Sequence, residues 1–347
     1  MANKICLICS KNFPGSKQVL EHLSGILKGV RECDLKILES FFRKPNLQGI
    51  PLAEGAENII IRNLPPVRIS ELLIYRDNII FAGWDYRYDK ILSALNRHNI
   101  TPSLIMCSTL GQSELTSHEL PLLRKIYEHL KSKRLKSVLL NKRLFSSISR
   151  IFPNAFYFPH PIDINKFHSI LPKKMEGINI DLFCALRPGK NVLNQILAFE
   201  LSGINGLLHI NFSSPQLDEV INLITKNVIR HNWMSQNEYY SLIAGMTLSL
   251  QVTFTESFSY AVCERMCLGV PVITSYDIDL ISEDSFLSSY LCVNALDTPA
   301  VIGGKLRQIT NDKKLRTELS HQCRQRIEMI AKKDNEYVID FITKHFK

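Results

Sequence analysis

The sequence predicts an α/β protein with two doubly wound domains, each a parallel sheet covered by helices on both faces. The chain has 347 residues, and since a domain typically has about 150 residues, this length indicates two domains. Apolar runs typical of buried parallel strands alternate with helical stretches in the first half, and the alternation starts again in the second half. A proline-rich segment, Phe152–Pro161, lies between the two series. We therefore predict two Rossmann-like domains that face a cleft, with ligands at the carboxyl ends of the strands.

The elements of each series follow from these local patterns. The first series has the predicted strands KICLIC, DNIIFAG, PSLIMC and SVLLN. Its predicted helices are Gln18–Gly29, Tyr86–His98 and Leu120–Lys133. The second series has the predicted strands IDLFCA, LLHINF, LSLQVTF and VPVITS. Its predicted helices are Val192–Leu201, Gln216–Thr225, Gln236–Ala244 and Ser259–Leu268. The N-terminal domain is therefore expected in residues 1–160 and the C-terminal domain in residues 161–334.

Composition and charge narrow the class of protein. Hydrophobic residues make up 45% of the chain and charged residues 22%, as in ordinary soluble globular proteins. No apolar run reaches the roughly 20 residues that a membrane span needs, and Met1–Ser10 is interpreted as a first strand rather than a signal peptide. We therefore expect a cytoplasmic protein. The formal net charge of +9 favours anionic partners, which include nucleotide diphosphates, an acidic membrane surface and nucleic acid.

The nine cysteines show no repeating pattern. Cys6 and Cys9 form a C-x-x-C, but this pair lies in a predicted buried strand, and no second pair has zinc spacing. We expect buried free thiols rather than a metal or redox site, which fits a reducing compartment.

The strongest chemical signal is the segment Leu250–Ser275, in which seven residues separate Glu256 from Glu264. Glu256 is predicted in the loop that closes a strand, and Ser259 is a good N-cap for the following helix. A helix N-terminus can bind phosphate because it offers unpaired amides and a positive dipole end. Carboxylates beside it can accept hydrogen bonds from sugar hydroxyls. The alternative is that Glu256 only stabilises the helix and that Glu264 is solvated.

A second signal lies in the predicted loop between a strand and a helix, where Arg187, Gly189 and Lys190 stand close together. Arginine can grip a phosphate with two hydrogen bonds, and lysine adds a point charge. A departing nucleoside diphosphate gains negative charge, so two cations here would lower the barrier to its departure. The alternative is a solvated basic loop.

The segment Asn179–Ser275 resembles the large retaining GT-B family of nucleotide-sugar transferases, the family 4-like glycosyltransferases, whose signature is E-x(7)-E. The N-terminal half matches only in the order of its strands and helices. The resemblance implies that Glu256 lies near the hydroxyls of the transferred sugar and that Glu264 binds the donor ribose. It also implies that three backbone amides meet the diphosphate, those of Phe258, Ser259 and Tyr260. The family usually has glycine where this chain has Ser259.

The resemblance assigns further residues to the donor. Arg187 and Lys190 are expected to contact the diphosphate. Trp233 is expected to pack against the nucleobase with Met234 nearby, and the alternative for Trp233 is an ordinary core aromatic. Gly15, in the loop after the first strand, is expected to offer backbone amides to the donor phosphates or the acceptor, unless this loop is a simple β–α turn.

The N-terminal half departs from the family in one respect. Many members have a histidine after a middle strand of this domain, whereas the corresponding stretch here, LIMCSTLGQS, has none. His118, a few residues further on, is either its substitute or a surface residue. Asp85 is a candidate group on the acceptor side. Asp277 and Asp279 form a D-x-D, which binds a divalent metal in the other major glycosyltransferase fold, but their place after a predicted strand favours a loop or capping role.

The activity that the resemblance implies is transfer of a hexose-type sugar from a nucleotide-diphosphate sugar, with retention of configuration. The acceptor is a glycan, a lipid or a small molecule, and no metal, cofactor or protein nucleophile is expected. Two alternatives stay open. One is an epimerase or phosphorylase of the same fold, and the other is a non-catalytic module that binds nucleic acid or a membrane through its positive charge.

The basic residues between Lys131 and Arg150 bear on the second alternative: Lys133, Arg134, Lys136, Lys142 and Arg143. A predicted strand interrupts them, so they do not form one amphipathic helix. A solvated face is expected, and peripheral contact with an anionic membrane is the alternative; nucleic acid is a weaker one.

The last predicted helix, Asn335–Phe346, has apolar residues at helical spacing: Tyr337, Val338, Phe341, Ile342 and Phe346. Exposed, this stripe would promote aggregation. In the family that the chain resembles, the final helix crosses back to the N-terminal domain, and the same is expected of residues 335–347. The alternatives are packing on its own domain or on a second subunit.

Overall fold

The computed structural model describes residues 4–10, 14–38, 72–85, 88–107, 116–232 and 234–346. These residues form two compact units. The first unit contains the described residues up to Asp163 together with those from Ala331 onward, and the second unit is Ile164–Ile330. Within the described residues, each unit is built around one six-stranded sheet, and all the strand pairings are parallel.

The sheet of the first unit has the strand order β2-β1-β3-β4-β5-β6. Its strands are β1 (Ile5–Ser10), β2 (Cys33–Leu38), β3 (Ile79–Ala82), β4 (Ser103–Ile105), β5 (Ser137–Leu140) and β6 (Ala155–Tyr157). The helices of this unit's first series are α1 (Pro14–Leu27), α2 (Tyr88–Asn96), α3 (Thr116–Lys131) and α4 (Lys142–Ile148). All residues of β1 are buried, as expected of a parallel strand covered on both faces.

The sheet of the second unit has the strand order β12-β11-β10-β7-β8-β9. Its strands are β7 (Ile178–Leu182), β8 (Gly206–Ile210), β9 (Val228–Arg230), β10 (Leu248–Gln251), β11 (Val272–Ser275) and β12 (Cys292–Val293). The helices that follow are α5 (Val192–Ser202), α6 (Pro215–Ile224), α7 (Gln236–Ala244), α8 (Tyr260–Cys267), α9 (Asp279–Ser282), α10 (Ser285–Leu291), α11 (Pro299–Asn311) and α12 (Lys313–His345). The predicted fold class is thus confirmed: two parallel sheets with helices, in series along the chain.

The order of strands in the second sheet reverses direction between β7 and β10. From β7 the chain proceeds outward through β8 and β9, then returns to the other side of β7 and proceeds through β10, β11 and β12. The carboxyl ends of β7 and β10 therefore form the switch point of the sheet, which is where ligands bind in doubly wound sheets.

The end of the chain differs from the prediction, which placed the start of the last helix at Asn335. In the structure α12 is one continuous helix of 33 residues that begins at Lys313. Its sequence contains neither glycine nor proline, so nothing in the backbone interrupts it. The part from Ala331 onward groups with the first unit.

The contacts of this last part of α12 include β6 and the residues after it, and its final carbonyls accept from Arg31 and Lys136. The side chain of Asn335 exchanges two hydrogen bonds with the backbone of Ile162, at 2.7 and 2.9 Å. The ring of Phe341 lies 5.7 Å from that of Phe156 and 5.5 Å from that of Phe158, measured between centroids. Three further residues of this segment are fully or almost fully buried: Val338, Ile342 and Phe346.

All nine cysteines are free thiols. Cys6 and Cys9 are three residues apart on β1, so their side chains point to opposite faces of the sheet. Burial raises the pKa of Cys6 to about 12 and that of Cys9 to about 11. Both thiols therefore stay protonated and unreactive at neutral pH. Among the described residues, no helix is both long and apolar enough to cross a membrane.

Candidate functional site

Two loops follow the strands at the switch point of the second sheet: the loop between β7 and α5 and the loop between β10 and α8. The amide of Phe254 donates to the carbonyl of Gly189 at 3.0 Å. The side chain of Gln195 donates to the carbonyl of Lys190 and accepts from the amide of Val252, both at 2.8 Å. Because Gln195 is buried, these bonds fix the two loops against each other.

Lys190 and Glu256 meet across these two loops. The Nζ atom of Lys190 lies 2.5 Å from Oε2 of Glu256, and both side chains are buried. The two residues were predicted separately, one as a diphosphate contact and the other as a sugar contact. Their direct pairing was not foreseen, and it compensates the cost of burying each charge.

Arg187 stands at the start of the one-turn helix Pro188–Lys190 and is half-buried. Its Nε atom is buried and has no hydrogen-bond partner among the described residues. A guanidinium has only donors, and leaving a buried donor unpaired costs about 1–3 kcal/mol. This group is therefore suited to an anionic ligand.

The helix α8 begins where its sequence predicts. Ser259 is its N-cap, and its hydroxyl accepts from the amide of Val262 at 3.4 Å. Ser259 and Tyr260 are buried, whereas Phe258 is half-buried and meets the ring of Tyr260 edge-on. The N-terminus of α8 lies directly after the loop that carries Glu256, so its amides are near the Lys190–Glu256 pair in sequence and in the fold.

Glu264 lies in the second turn of α8 and is buried, so the alternative that it is solvated is wrong. The hydroxyl of Tyr240 donates to Oε1 at 3.1 Å, and that of Tyr239 donates to Oε2 at 3.5 Å. Burial raises the pKa of Glu264, while the charge of Arg265 and the tyrosine hydroxyls act in the opposite direction.

The next residue, Arg265, forms a fully buried ion pair with Asp181 that sequence reasoning missed. Its Nη2 atom lies 2.5 Å from Oδ1 of Asp181, and its Nε donates to both Asp181 oxygens at 2.9 and 3.1 Å. The hydroxyl of Ser249 accepts from the same Nε at 2.6 Å. A carboxylate inside the predicted buried strand IDLFCA was the available signal, because a buried charge needs a partner.

Two histidines next to this network make contacts that the sequence did not predict. His209 in β8 contacts Asn179 Oδ1 through Nε2 at 2.9 Å and His231 Nε2 through Nδ1 at 2.8 Å. Burial lowers the pKa of His209 to about 4 and also lowers that of His231, so both rings are neutral at pH 7. The ring of Phe183, at the end of β7, lies edge-on to His231 and stacked on Tyr239.

The other predicted residues have different positions. Met234 is half-buried against the apolar cluster around Tyr240, and Trp233 lies outside the described residues. Gly15 is exposed in the first turn of α1, and a Cβ atom added there meets nothing within 4 Å, so packing does not require glycine. Asp85 is buried after β3. The side chain of His118 lies outside the described parts, as do Ser108, Thr109 and Gly111.

The structure therefore brings five predicted features to one edge of the second sheet: Arg187, Lys190, Glu256, the N-terminus of α8 and Glu264. Chemically, this edge combines two cations, the N-terminus of a helix and two buried carboxylates. It can hold an anion and accept hydrogen bonds from hydroxyl groups. Asp277 and Asp279 lie after β11, at the loop and helix-start positions expected for them.

The sequence matches no protein-family model and no curated protein at a significant level. Solved structures do match. Sucrose-phosphate synthase from Thermosynechococcus elongatus superposes with a TM-score of 0.69 at 14% identity, covering 99% of each chain. WaaG, a glycosyltransferase involved in lipopolysaccharide biosynthesis, gives 0.62 at 13% identity, covering 98% of this chain and 100% of WaaG.

TarM from S. aureus, in complex with UDP, α-GlcNAc-glycerol and fondaparinux, gives a TM-score of 0.63 at 17% identity. The match covers 80% of this chain but only 58% of TarM. At these identities the likeness concerns the fold. The chain therefore has the GT-B fold of these glycosyltransferases, as its sequence predicted.

Proposed function

We propose that the chain is a retaining glycosyltransferase that transfers a hexose-type sugar from a nucleotide-diphosphate sugar. The observation that carries the proposal is the buried guanidinium of Arg187, whose Nε lacks a partner among the described residues, beside the Lys190–Glu256 pair. These groups stand at the reversal of strand order in a sheet whose fold is that of nucleotide-sugar enzymes.

In this proposal each group has a distinct role. Arg187 and Lys190 stabilise the charge that grows on the departing nucleoside diphosphate. The amides of residues 258–260 contact the same phosphates at the N-terminus of α8. Glu264 accepts hydrogen bonds from the ribose hydroxyls, and Glu256 accepts from the hydroxyls of the sugar once the diphosphate has taken over the charge of Lys190.

Two finer points of the proposal come from the family resemblance. By resemblance to the E-x(7)-E transferases, we propose retention of anomeric configuration without a protein nucleophile. In those enzymes the departing phosphate takes the proton of the acceptor on the same face of the sugar. The cations Arg187 and Lys190 take the place that a metal ion would have, so we propose a metal-independent reaction.

Trp233 and Met234 are proposed beside the nucleobase. The UDP bound by TarM makes uridine the first nucleotide to test.

The test is a binding and turnover series with purified protein. UDP, GDP, ADP and their glucose derivatives are added in thermal-shift assays, and at a hundredfold excess over Kd the right ligand stabilises the fold by about 2.7 kcal/mol. Released nucleoside diphosphate is then measured with and without candidate acceptors. An epimerase would instead change the sugar and release little diphosphate.

A matched pair of variants sharpens the test. Arg187→Ala should abolish or strongly weaken the thermal shift. Lys226→Ala removes an equally basic but exposed side chain from the same unit, and it should leave the shift unchanged. If no nucleotide or nucleotide-sugar binds, while heparin or anionic vesicles do, the chain is a basic binding module and the proposal is wrong.

Cytoplasmic location with peripheral contact to an anionic membrane is part of the proposal. Lys131, Lys133 and Arg134 are exposed together at and just after the end of α3. Each such charge near an anionic surface contributes about 1 kcal/mol. Sedimentation with vesicles that contain 30% phosphatidylserine, a composition of roughly physiological charge, checks this point. Loss of binding in the triple alanine variant would support it, and absence of binding in the unaltered protein would contradict it.

A further inference from the structure

The carboxylate of Glu264 is held between two consecutive tyrosines of α7. Tyr240 contacts Oε1 at 3.1 Å and Tyr239 contacts Oε2 at 3.5 Å, so each oxygen has its own phenol. The carboxylate belongs to α8, and the phenols belong to a helix more than twenty positions earlier in the sequence. The contact therefore links two separate helices of the second unit.

The direction of these hydrogen bonds follows from the second partner of each phenol oxygen. The Nε2 atom of Gln236 donates to the oxygen of Tyr240 at 2.9 Å, and Nη1 of Arg265 donates to the oxygen of Tyr239 at 3.2 Å. Amide and guanidinium nitrogens are donors only, so each phenol oxygen acts as acceptor on that side. The single hydrogen of each hydroxyl is therefore free to point at Glu264.

The donor behind Tyr239 is itself rigidly anchored. Arg265 is fully buried and bound to Asp181 in β7 and to Ser249 in β10. Its Nη1 atom also donates to the carbonyl of Ala261 at 2.7 Å. An unbroken series of hydrogen bonds thus runs from the two strands at the reversal of the sheet, through Arg265 and Tyr239, to Glu264. Such a fully paired network fixes the orientation of its members.

We infer that Tyr239 and Tyr240 are positioning residues that hold the carboxylate of Glu264 in the orientation in which it accepts from the ribose hydroxyls of the nucleotide. The inference rests on the proposed function, in which Glu264 binds the ribose. A carboxylate accepts about four hydrogen bonds. Each oxygen of Glu264 accepts from its own phenol, and this prevents the carboxylate from rotating away from that orientation.

The network also acts on the ionisation of Glu264, whose neighbours include Arg265, Lys166 and the two phenols. Burial raises the pKa of Glu264, and these four neighbours lower it. Removing a phenol hydroxyl therefore raises this pKa further. A protonated carboxyl group loses acceptor capacity, so a variant without one hydroxyl should lose nucleotide affinity at a higher pH than the unaltered protein.

The test uses the full chain and the variants Tyr240→Phe and Tyr239→Phe, with UDP, GDP and ADP as probes in calorimetric titrations from pH 5 to pH 8. We expect the nucleotide that binds the unaltered protein to bind each variant roughly tenfold more weakly at pH 8, the loss that about 1.4 kcal/mol represents. The acidic fall in affinity should begin at a higher pH in both variants. Phenylalanine keeps the buried ring, and Tyr290→Phe in α10 is the matched control.

A second variant removes the donor instead of the phenol. Gln236→Leu removes the side chain that donates to the oxygen of Tyr240. Because Gln236 is exposed, folding should be little affected. The variant should weaken nucleotide binding, but less than Tyr240→Phe does.

If both tyrosine variants bind nucleotide as tightly as the unaltered protein at every pH, the inference is wrong and the proposed function stands. If the unaltered protein binds none of the probes, the proposed function fails and the inference falls with it.

Discussion

Arg265 is the residue whose chemistry is hardest to place from sequence alone. It follows the proposed ribose ligand directly, yet its partner Asp181 lies 84 positions earlier in the chain. Both side chains are completely buried, so neither charge can be hydrated. Each of the two charges is therefore tolerated in the interior only while its partner is present.

Removing one partner of this pair should be costly. In Arg265→Met the charge of Asp181 stays buried without compensation, and we expect the free energy of unfolding to fall by about 3–5 kcal/mol. Urea unfolding followed by circular dichroism measures the change. The double variant Asp181→Leu with Arg265→Met should recover a large part of the loss, because no unpaired charge remains; a double variant as unstable as the sum of the two single ones would contradict this account.

The roles of Lys190 and Glu264 predict different kinetic effects. Lys190→Ala should lower kcat by roughly 10²–10³, since the charge of the leaving group grows in the transition state. Glu264→Ala should mainly raise the Kd for the nucleotide, because ribose contacts are similar in the ground and transition states. Steady-state kinetics with calorimetric Kd values separates the two. Equal losses in kcat and Kd for both variants would show that the roles are misassigned.

For single residues, the sequence predicted which side chains belong to the candidate site but not which of them form pairs. Glu256, Lys190, Arg187 and Glu264 were found because motif spacing and loop position are local properties. The contacts that organise them join distant positions: Lys190 with Glu256, and Arg265 with Asp181. Such contacts depend on strand order, and local patterns do not determine which strands become neighbours.

Among the helices and strands, α12 is a helix whose apolar spacing predicted only its last part. The apolar stripe was found because its spacing is regular from Tyr337 onward. The preceding part of the helix is rich in charged residues and weakly periodic, so its continuity with the stripe was missed. The eight inner strands of the two sheets were predicted, because a strand buried on both faces is recognised by a short continuous apolar run. The four edge strands of these sheets, β2, β6, β9 and β12, were missed.

The packing of α12 on β6 predicts a stability effect within the first unit. Phe341 is 7% exposed and lies between Phe156 and Phe158, so Phe341→Ala should lower the free energy of unfolding of this unit by about 3–5 kcal/mol. Tyr337→Ala is the comparison, since Tyr337 is 42% exposed and should cost clearly less. Chemical denaturation checks both. Equal losses for the two variants would mean that the depth of burial does not govern this contact.

For the molecule as a whole, buried histidines in both units predict sensitivity to acid. Burial lowers the pKa of His160 to about 3 and that of His209 to about 4. Below the unfolded value of about 6.5 the unfolded chain binds protons that the folded chain does not, so stability falls as the pH decreases from there towards 4. Each histidine should remove about 2 kcal/mol between pH 7 and pH 5.

Urea unfolding at pH 7 and pH 5 measures this loss in stability. His209→Gln should reduce the pH dependence of the second unit, whereas His321→Gln, at an exposed position, should leave it unchanged. The same pH dependence in the unaltered protein and in His209→Gln would rule out His209 as its cause.

The grouping of the residues after Ala331 with the first unit has a consequence for synthesis. The ribosome completes β6, the last described strand of the first unit, at Tyr157, but the helix segment that covers β6 emerges only after the whole second unit has been translated. At about 5–20 residues per second, the roughly 170 intervening residues take on the order of ten to thirty seconds. During this interval the aromatic rings of Phe156 and Phe158 lack their cover from Phe341 on the nascent chain. The first unit thus begins folding first and finishes last, and its uncovered edge strand is a surface that chaperones would be expected to bind until translation ends.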